Sequence, residues 1–471
     1  MFQEVLQIYD TTIEDIVGSA VTAQKKWAKE SITSRVEHVL RFKDVLKKHI
    51  ESFAEIISRE TGKPLWESKM EVQSSINKID ITIEAGLKLI EEQTVENALP
   101  GINGRLLFRP KGLLLVIGPF NFPLHLPNGH IIPALLTGNA VIFKPSEITP
   151  LVAQFYAQCI LEAKIPAGIF NLIQGDSNVG KKLVSNKKID GILFTGSYEN
   201  GLRIKEATLK DYWKILALEM GGKNAAIVWD DADLPKALYE CILGAFSTTG
   251  QRCSCTSRII LNRKIADKFL ERFVSYTKKL TIGHWNDAVF MGPLINPKSY
   301  DAYVNFQTLS KNEGNQILLL GEKLESRVCG YYVSPSIHLV HKSSKLSEYQ
   351  SCEIFGPNVA VYIVDSLEEA LEISESTEFG LVTSFFSKSK QLFDYVIDHV
   401  QSGQINWNRS TVGASSKLPF GGVKKSGNDR PSALFAVYYT TYATSILEDT
   451  GSLSKEHNLK NVDIDFYNDK I

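Results

Sequence analysis

The sequence lacks several features that would place it in a particular class of protein. Neither sign of charge is in excess, since 52 Lys and Arg side chains balance 53 Asp and Glu side chains and the formal net charge is −1. No apolar run approaches the roughly 18 to 20 residues of a membrane-spanning helix, and no basic and then apolar leader follows Met1. We therefore expect a soluble, cytoplasmic protein that binds neither nucleic acid nor a membrane.

Cysteine is also scarce, at six in 471 residues. The irregular spacing of these cysteines does not suit a disulfide framework in a chain of this length, so we expect reduced thiols. The closest pair, Cys253 and Cys255, has one intervening residue instead of the two found in metal knuckles, and no histidine stands nearby at ligand spacing. We therefore expect no metal site.

The composition is that of a globular protein with a large core, because 44% of the residues are hydrophobic and 22% are charged. The length suggests about two or three domains. The first ninety residues carry apolar side chains at helical spacing, as from Ile13 to Val21 and from Val36 to Leu46. Lys and Glu occupy the intervening positions, which predicts amphipathic helices that cover another layer.

Short unbroken apolar runs in the rest of the chain predict buried strands. The predicted strands are residues 113–117, 140–143, 192–194, 224–229, 258–261 and 359–364. Because helical stretches separate them, we expect an α/β fold with doubly wound sheets and ligands at the carboxyl ends of the strands. A domain boundary is placed near Gly221. The β-branched and aromatic residues 438–446 predict a further strand, able to pair with another subunit.

A nucleophile is suggested by the segment Gly250-Gln251-Arg252-Cys253, which lies between a helical stretch and a predicted strand. A thiolate there could attack a carbonyl carbon, and we expect Arg252 and backbone donors to lower its pKa. The alternative is that Cys253 and Cys255 are small buried apolar side chains, which this segment taken alone would favour.

Two further side chains suit the same chemistry. Glu219 stands between an apolar strand and Gly221-Gly222, where desolvation would raise its pKa and allow it to deprotonate a thiol or a water. Asn121 follows the first buried strand, where its amide could donate to an oxyanion. The alternatives are a capping or surface role for Glu219 and a turn role for Asn121.

Two segments suggest a bound nucleotide. Lys144 and Glu147 follow a predicted strand and suit ribose hydroxyls, although charged residues commonly follow strands. The segment from Phe194 to Gly201 predicts a strand, a small-residue turn and a helix start, whose backbone N–H groups suit a pyrophosphate. The GxGxxG fingerprint of the usual dinucleotide fold is missing from this segment.

Taken in order, these segments resemble the aldehyde dehydrogenase superfamily, from about residue 13 to about residue 450. The matching motifs are Pro119-Phe120-Asn121-Phe122-Pro123, Lys144-Pro145-Ser146-Glu147, Phe194-Thr195-Gly196-Ser197, Leu218-Glu219-Met220-Gly221-Gly222-Lys223, Gly250-Gln251-Arg252-Cys253 and Glu353-Ile354-Phe355-Gly356-Pro357. The resemblance implies an NAD-dependent oxidation of an aldehyde to a carboxylate through a cysteine thiohemiacetal and thioester.

The resemblance also implies the role of each site residue. Cys253 would be the nucleophile, Glu219 the general base, and Asn121 an oxyanion donor together with the backbone N–H of Cys253. The implied cofactor-binding residues are Lys144, Glu147, Gly196, Ser197, Tyr198, Glu199, Asn200, Gly201, Glu353 and Phe355. Because the Glu147 carboxylate would accept a bond from a free 2′-hydroxyl and repel a 2′-phosphate, NAD is expected over NADP.

The fold that the resemblance implies has two doubly wound Rossmann-like α/β domains and a small β oligomerisation element. Residues 1–220 would form the NAD-binding domain, with a hairpin near 92–110, and residues 221–425 the catalytic domain. Residues 430–450 would form an oligomerisation strand, followed by a tail to 471. A homodimer or homotetramer is expected.

Further stretches narrow the resemblance to the subfamily that oxidises N-succinyl-L-glutamate 5-semialdehyde in arginine catabolism. They are Glu60-Thr61-Gly62-Lys63-Pro64-Leu65-Trp66-Glu67, Leu126-Pro127-Asn128-Gly129-His130-Ile131-Ile132-Pro133, Asn406-Trp407-Asn408, Pro419-Phe420-Gly421-Gly422 and residues 426–433. Arg409, Lys417 and Arg430 are candidates to bind the substrate carboxylates, and each is equally suited to be a solvated surface charge.

Alternative functions are an aldehyde dehydrogenase for another semialdehyde or an alkanal, a coenzyme-A-acylating relative, and a catalytically silent protein of the same fold. Glu219 argues against the acylating relative, because a hydrolytic base would compete with the acceptor thiol.

The sequence starts close to the first helices, without the opening strands usual in the family. We expect this to affect stability and subunit packing more than the named catalytic positions.

Overall fold

The computed structural model describes residues 10–428, 430, 432–451 and 459–462. The helices are α1 Asp10–Trp27, α2 Ile32–Lys48, α3 Ile50–Thr61, α4 Leu65–Ile81, α5 His125–Leu136, α6 Pro150–Glu162, α7 Ser177–Ser185, α8 Tyr198–Ala207, α9 Leu234–Phe246, α10 Arg263–Thr277, α11 Pro297–Asn312, α12 Glu348–Ser351, α13 Leu367–Glu375, α14 Lys390–His399 and α15 Ala436–Tyr439. A π-helical turn lies at Thr82–Gly86, and 3-10 turns lie at Leu87–Ile90 and Ser247–Gly250.

The strands follow the same chain order. They are β1 Gln93–Leu99, β2 Ile102–Pro110, β3 Leu113–Ile117, β4 Ala140–Lys144, β5 Phe170–Leu172, β6 Gly191–Thr195, β7 Ile215–Glu219, β8 Asn224–Val228, β9 Thr256–Asn262, β10 Gln316–Leu319, β11 Ser336–Leu339, β12 Asn358–Val364, β13 Phe379–Gly380, β14 Val382–Phe386, β15 Gln404–Trp407, β16 Pro419–Phe420, β17 Val423–Lys424, β18 Ser432–Ala433 and β19 Thr441–Glu448. All six predicted strands are confirmed within a few residues.

The first sheet has five parallel strands in the order β5-β4-β3-β6-β7. Successive side chains of a strand point to opposite faces, and those of β3 enter two different cores. Leu113 and Leu115 pack with residues of α1, whereas Leu114 and Val116 pack with residues of α2 to α6. The N-terminal helices therefore cover this sheet, and an unbroken apolar run is the pattern that two buried faces require.

The second sheet has seven strands in the order β10-β11-β12-β9-β8-β14-β15, all parallel except the β10–β11 pair. It is again covered on both faces, because Ala225 and Ile227 of β8 enter one core and Ala226 and Val228 enter another. This is the predicted α/β architecture. None of the described helices has the length and apolarity needed to cross a bilayer.

A separate antiparallel sheet joins β1, β2 and β19. The expectation of a strand over residues 438–446 was partly wrong, because Tyr438 and Tyr439 belong to α15 and the strand begins at Thr441. Tyr439 packs in the core beside α5, so local packing overrides its strand propensity.

The domain limits remain a prediction. Residues 1–9 and most of the expected tail to 471 lie outside the described residues.

Candidate active site

Glu219 is the last residue of β7, at the carboxyl edge of the five-stranded sheet. Hydrogen bonds fix its backbone. The Glu219 carbonyl accepts a bond from the Gly196 N–H at 3.0 Å, and the N–H of the next residue, Met220, donates to the carbonyl of Ser426 at 2.9 Å. The residue is 6% exposed, so the surface alternative is wrong. Burial raises the pKa of Glu219 well above its ordinary value, and the nearby Lys78 ammonium partly opposes that shift.

Cys253 lies in the loop between the 3-10 turn Ser247–Gly250 and β9, and its side chain is half-buried. Its carbonyl accepts a bond from Asn224 Nδ2 at 2.7 Å, which fixes the loop against β8. Burial raises the pKa of the thiol to about 12, and the carboxylates of Glu353 and Glu219 add to the shift. These two carboxyl groups therefore lie within electrostatic range of the thiol.

The expectation that Arg252 lowers the pKa of Cys253 was wrong. The guanidinium is turned toward other partners: Nη2 donates to Glu67 Oε1 at 2.8 Å and Nε donates to Thr248 Oγ1 at 2.7 Å. It also lies over the Phe122 ring, 5.0 Å from the ring centroid. The Glu67 carboxylate neutralises its positive charge, so the guanidinium does not favour the thiolate form of Cys253.

Asn121 stands in the loop between β3 and α5 and is 5% exposed. Its Nδ2 donates to the carbonyl of Gln251 at 2.9 Å, two residues before Cys253. A side-chain amide nitrogen carries two hydrogens. One hydrogen therefore fixes Asn121 to the nucleophile loop, and the second remains for an oxyanion.

The turn before Cys253 has an unusual backbone. Thr248, Thr249 and Gly250 have φ angles of 53°, 56° and 69°, and left-handed backbone is costly for the two β-branched threonines. A single carboxylate on α4 holds this turn, because Glu67 Oε1 accepts bonds from the N–H and the hydroxyl of Thr248, both at 2.9 Å. Glu67 was missed as a site residue by the sequence analysis, which used it only as part of a subfamily motif.

Several of the expected nucleotide-binding residues lie around the carboxyl ends of β4 and β6. Lys144 ends β4, is 5% exposed and donates to Glu147 at 3.3 Å. Ser197 caps α8 by accepting a bond from the Asn200 N–H at 3.4 Å. The remaining expected residues here are Gly196, before that cap, and Tyr198, Glu199 and Gly201, in the first turn of α8. This is the predicted strand, turn and helix start.

Glu353 and Phe355 approach from the loop after α12. Glu353 Oε1 accepts a bond from the Gly222 N–H at 3.0 Å, and burial raises its pKa to about 7. A Cβ at Gly221 would lie 2.1 Å from the Glu353 carboxylate, so a larger residue there would displace this carboxylate. Phe355 has a φ of 53°, and its ring stands edge-on to Phe120 at 5.9 Å.

The three side chains named as candidates to bind the substrate carboxylates do not enter this buried cluster. Arg409, Lys417 and Arg430 are all exposed. Buried cations come instead from the N-terminal half of the chain: Lys63 pairs with Glu71, and Lys78 interacts electrostatically with Glu219. Neither lysine was singled out from the sequence, because charged residues in amphipathic helices usually face solvent.

A thiol thus lies within electrostatic range of a buried carboxyl group, and an amide donor is hydrogen-bonded to the loop that carries the thiol. The start of α8 has the strand-to-helix turn that suits a nucleotide. The chain matches the aldehyde dehydrogenase family over residues 2–446 and belongs to that family. The resemblance noted in the sequence is therefore confirmed.

Curated relatives show which aldehyde dehydrogenases this chain is similar to. The N-succinylglutamate 5-semialdehyde dehydrogenase of Novosphingobium aromaticivorans is 38% identical over 439 residues, which cover 93% of this chain and 92% of the relative. The enzyme of the same name from Escherichia coli is also 38% identical over 439 residues, covering 93% of this chain and 88% of the relative.

Solved structures support the same fold. Betaine aldehyde dehydrogenase from Staphylococcus aureus, in complex with NAD+, has a TM-score of 0.89 at 28% identity, and the match covers 96% of this chain and 90% of that one. Methylmalonate-semialdehyde dehydrogenase from Oceanimonas doudoroffii has a TM-score of 0.90 at 25% identity, covering 94% of this chain and 91% of that one. The expected aldehyde dehydrogenase-like fold is confirmed.

Proposed function

We propose that this protein oxidises N-succinyl-L-glutamate 5-semialdehyde to N-succinyl-L-glutamate with NAD as the oxidant. The reaction class is supported by one observation above all: the Cys253 thiol lies within electrostatic range of the buried Glu219 carboxyl group, and Asn121 is hydrogen-bonded to the loop that carries the thiol. The substrate is supported by the curated relatives, which carry that name at 38% to 39% identity over most of the chain.

The described residues suit NAD. The capped start of α8 presents backbone N–H groups to a pyrophosphate, Lys144 and Glu147 suit ribose hydroxyls, and Glu353 suits the second ribose. The Glu147 side chain is 60% exposed and pairs with Lys144 through one oxygen, so its carboxylate retains acceptor capacity for a 2′-hydroxyl and would repel a 2′-phosphate. When bound, NAD would accept the hydride that the thiohemiacetal carbon loses.

The protein's own residues carry the covalent steps. Cys253 transfers its proton to Glu219, and Sγ forms a bond to the aldehyde carbon. The second N–H of Asn121 and the backbone N–H of Cys253 donate to the resulting oxyanion, and each donor lowers the barrier by about 3 kcal/mol. Loss of the hydride leaves a thioester on Cys253.

Hydrolysis then releases the acid. Glu219 first releases to solvent the proton that it took from Cys253, and then takes a proton from water as the water oxygen bonds to the thioester carbon. Cys253 Sγ leaves as a thiolate, which Glu219 reprotonates. The balance is one aldehyde, one NAD+ and one water consumed, and one carboxylate, one NADH and two protons formed. Because Cys253 must stay reduced, and none of the six cysteines is in a disulfide, we place the reaction in the cytoplasm.

The three-stranded sheet of β1, β2 and β19 supports a proposed role in assembly. Every residue of β1 is exposed, and β19 lies at the free edge of the sheet. We propose that this sheet joins copies of the chain in a homodimer or homotetramer.

A steady-state panel tests the function. It compares N-succinylglutamate 5-semialdehyde with glutamate semialdehyde, succinate semialdehyde and simple alkanals, each with NAD and with NADP. We expect the highest kcat/KM for N-succinylglutamate 5-semialdehyde with NAD. A higher value for any other aldehyde contradicts the substrate, and acyl-coenzyme A formed on adding coenzyme A contradicts the hydrolytic step.

A further inference from the structure

Lys223 is a buried cation that the proposed mechanism does not use. It lies in the connection between β7 and β8 and is 2% exposed. Its Nζ donates to two backbone carbonyls, that of Tyr349 at 3.0 Å and that of Cys352 at 2.6 Å. It also lies 5.6 Å from the centroid of the Tyr349 ring. Burying an ammonium is costly unless it is hydrogen-bonded, and these carbonyls supply the acceptors.

Both carbonyls belong to the end of the short helix α12, which precedes Glu353. Carbonyls at the end of a helix have no donor within that helix, and a cation is favourable beside them. Cys352 is the residue that caps α12, and Glu353 follows it directly. The Lys223 ammonium therefore fixes the backbone at the residue before Glu353.

The same connection also holds the side chain of Glu353. The Gly222 N–H donates to Glu353 Oε1 at 3.0 Å. Gly222 and Lys223 are consecutive, so the backbone of one holds the Glu353 carboxylate while the side chain of the other holds the preceding carbonyl. Two adjacent residues thus determine where both the backbone and the carboxylate of Glu353 lie.

The backbone of Lys223 is itself anchored to the seven-stranded sheet. Its carbonyl accepts a bond of 2.8 Å from Nε of Arg258, a residue of β9 that is 3% exposed. The other two nitrogens of this guanidinium donate to the carbonyls of Ile373 and Ser374 at 2.7 and 2.9 Å. The Lys223 side chain therefore extends from a fixed base to the end of α12.

The loop after Cys352 requires anchoring because its backbone is strained. Phe355 has a φ of 53°, in the left-handed region that a bulky residue adopts only where its surroundings fix it. Strand β12, which begins at Asn358, anchors the far end of this loop. Lys223 anchors the near end at Cys352. The loop that carries Glu353 and Phe355 is therefore held at both ends.

We propose that Lys223 is a positioning residue for NAD. By holding the end of α12, it places the Glu353 carboxylate where that carboxylate accepts hydrogen bonds from a ribose of the cofactor. Lys223 acts through Glu353 and does not touch the cofactor. The inference rests on the proposed function, because the contact of Glu353 with the ribose belongs to that proposal.

The test measures the affinity for NAD by calorimetric titration without any aldehyde, so it does not depend on the identity of the substrate. Lys223→Met replaces the ammonium with an apolar chain of similar length. Because the Glu353 loop loses its near anchor, we expect the Kd for NAD to rise by about 5- to 30-fold.

Lys214→Met is the matched control. Lys214 is also buried, and its Nζ also donates to two backbone carbonyls, those of Val184 and Asn186. It precedes β7, at the opposite end of that strand from Glu219. The Kd for NAD should stay within about twofold of wild type in this variant, because the two sites are independent.

A double-mutant cycle tests whether Lys223 acts through Glu353. Glu353→Ala alone should weaken NAD binding, because the acceptor for the ribose is removed. Adding Lys223→Met to Glu353→Ala should change the Kd by less than about twofold, since the group that Lys223 positions is already absent. A purely structural lysine would lower the affinity by the same factor whether or not the Glu353 side chain is present.

Thermal unfolding shows whether each variant folds. Both lysine variants should lose stability, because in each of them two carbonyls lose a donor. Stability therefore does not distinguish Lys223 from Lys214, whereas the affinity for NAD does. If Lys223→Met does not fold, Lys223→Gln, which keeps a polar end but reaches less far, is taken through the same cycle.

Distinct outcomes separate this proposal from the proposed function. Wild-type affinity in Lys223→Met, an equal loss in Lys214→Met, or equal losses with and without the Glu353 side chain would overturn the role of Lys223. If Glu353→Ala binds NAD as tightly as wild type, the proposed contact of Glu353 with the ribose is wrong, and the role of Lys223 fails with it. A loss that requires the Glu353 side chain supports both, whichever aldehyde proves to be the substrate.

Discussion

Burial raises the pKa of both Glu219 and Cys253. A buried thiol and a buried carboxyl group raise each other's pKa, since ionisation of either opposes that of the other. Activity should rise with pH, because the base must lose its proton before it can accept one from water.

Glu219→Gln tests this assignment at a single residue. The variant keeps the shape of the side chain but cannot take a proton from Cys253 or from water, so we expect both NADH formation and hydrolysis to be slower than in wild type, hydrolysis by about 100- to 10,000-fold. The slow phase should also lose the increase with pH that wild type shows as Glu219 titrates. Stopped-flow absorbance measures both phases, and a wild-type steady rate in the variant contradicts a role for Glu219 in hydrolysis.

Among structural elements, the turn Ser247–Gly250 determines where the nucleophile stands. Its left-handed threonines persist because Glu67 accepts both donors of Thr248 and pairs with Arg252. Strained backbone of this kind survives only when its surroundings fix it. The position of Cys253 therefore depends on a carboxylate that lies about 180 residues earlier in the chain.

Glu67→Gln should release this turn. The amide retains an acceptor oxygen but loses the charge that strengthens the bonds to Arg252 and Thr248, so we expect unfolding free energy to fall by about 1 to 3 kcal/mol. Displacement of Cys253 should lower kcat by about 10- to 100-fold, with the affinity for NAD unchanged.

Denaturant unfolding, steady-state kinetics and NAD titration measure these three quantities. The control is Glu51→Gln, which removes an exposed carboxylate that pairs with Lys69. Its unfolding free energy should change by less than about 1 kcal/mol. Wild-type kcat in Glu67→Gln would show that the turn keeps its conformation without the carboxylate.

Some elements could be predicted from sequence and others could not, for identifiable reasons. The unbroken apolar runs of β3 and β4 have the pattern of strands that are buried on both faces. Glu219 ends β7, Asn121 follows β3, and Cys253 stands in the loop before β9. Strands of two residues, such as β13 and β16, are too short to carry a period.

Helix α4 misled sequence reasoning for a different reason. Its buried face includes Glu67, Glu71, Ser75 and Lys78, at intervals of four, four and three residues. That spacing is helical, but a charged stripe normally indicates the solvent face. Only the three-dimensional partners of these side chains reveal that the stripe is buried against the start of α5 and the turn Ser247–Gly250, so the contact of Glu67 with this turn was not predicted.

At the scale of the whole molecule, the sheet of β1, β2 and β19 is separate from the two parallel sheets and the cores that cover them. Val95 of β1 and Leu447 of β19 both pair with Gly104 of β2, so their side chains lie on one face, on either side of a residue without a side chain. They are 51% and 59% exposed. Two exposed apolar side chains on one face of the sheet are suited to contact with another copy of the chain.

The double substitution Val95→Lys with Leu447→Lys tests this contact. Desolvating two lysines would oppose burial of the sheet against a second copy, so we expect a smaller assembly than wild type in sedimentation velocity. Leu346→Lys is the control, since Leu346 is 97% exposed and lies outside the sheet. Each copy of the double variant should retain its catalytic activity, because both residues lie in a sheet separate from the parallel sheets beside Glu219 and Cys253. An unchanged assembly in the double variant, or a monomeric wild type, would show that this sheet does not join subunits.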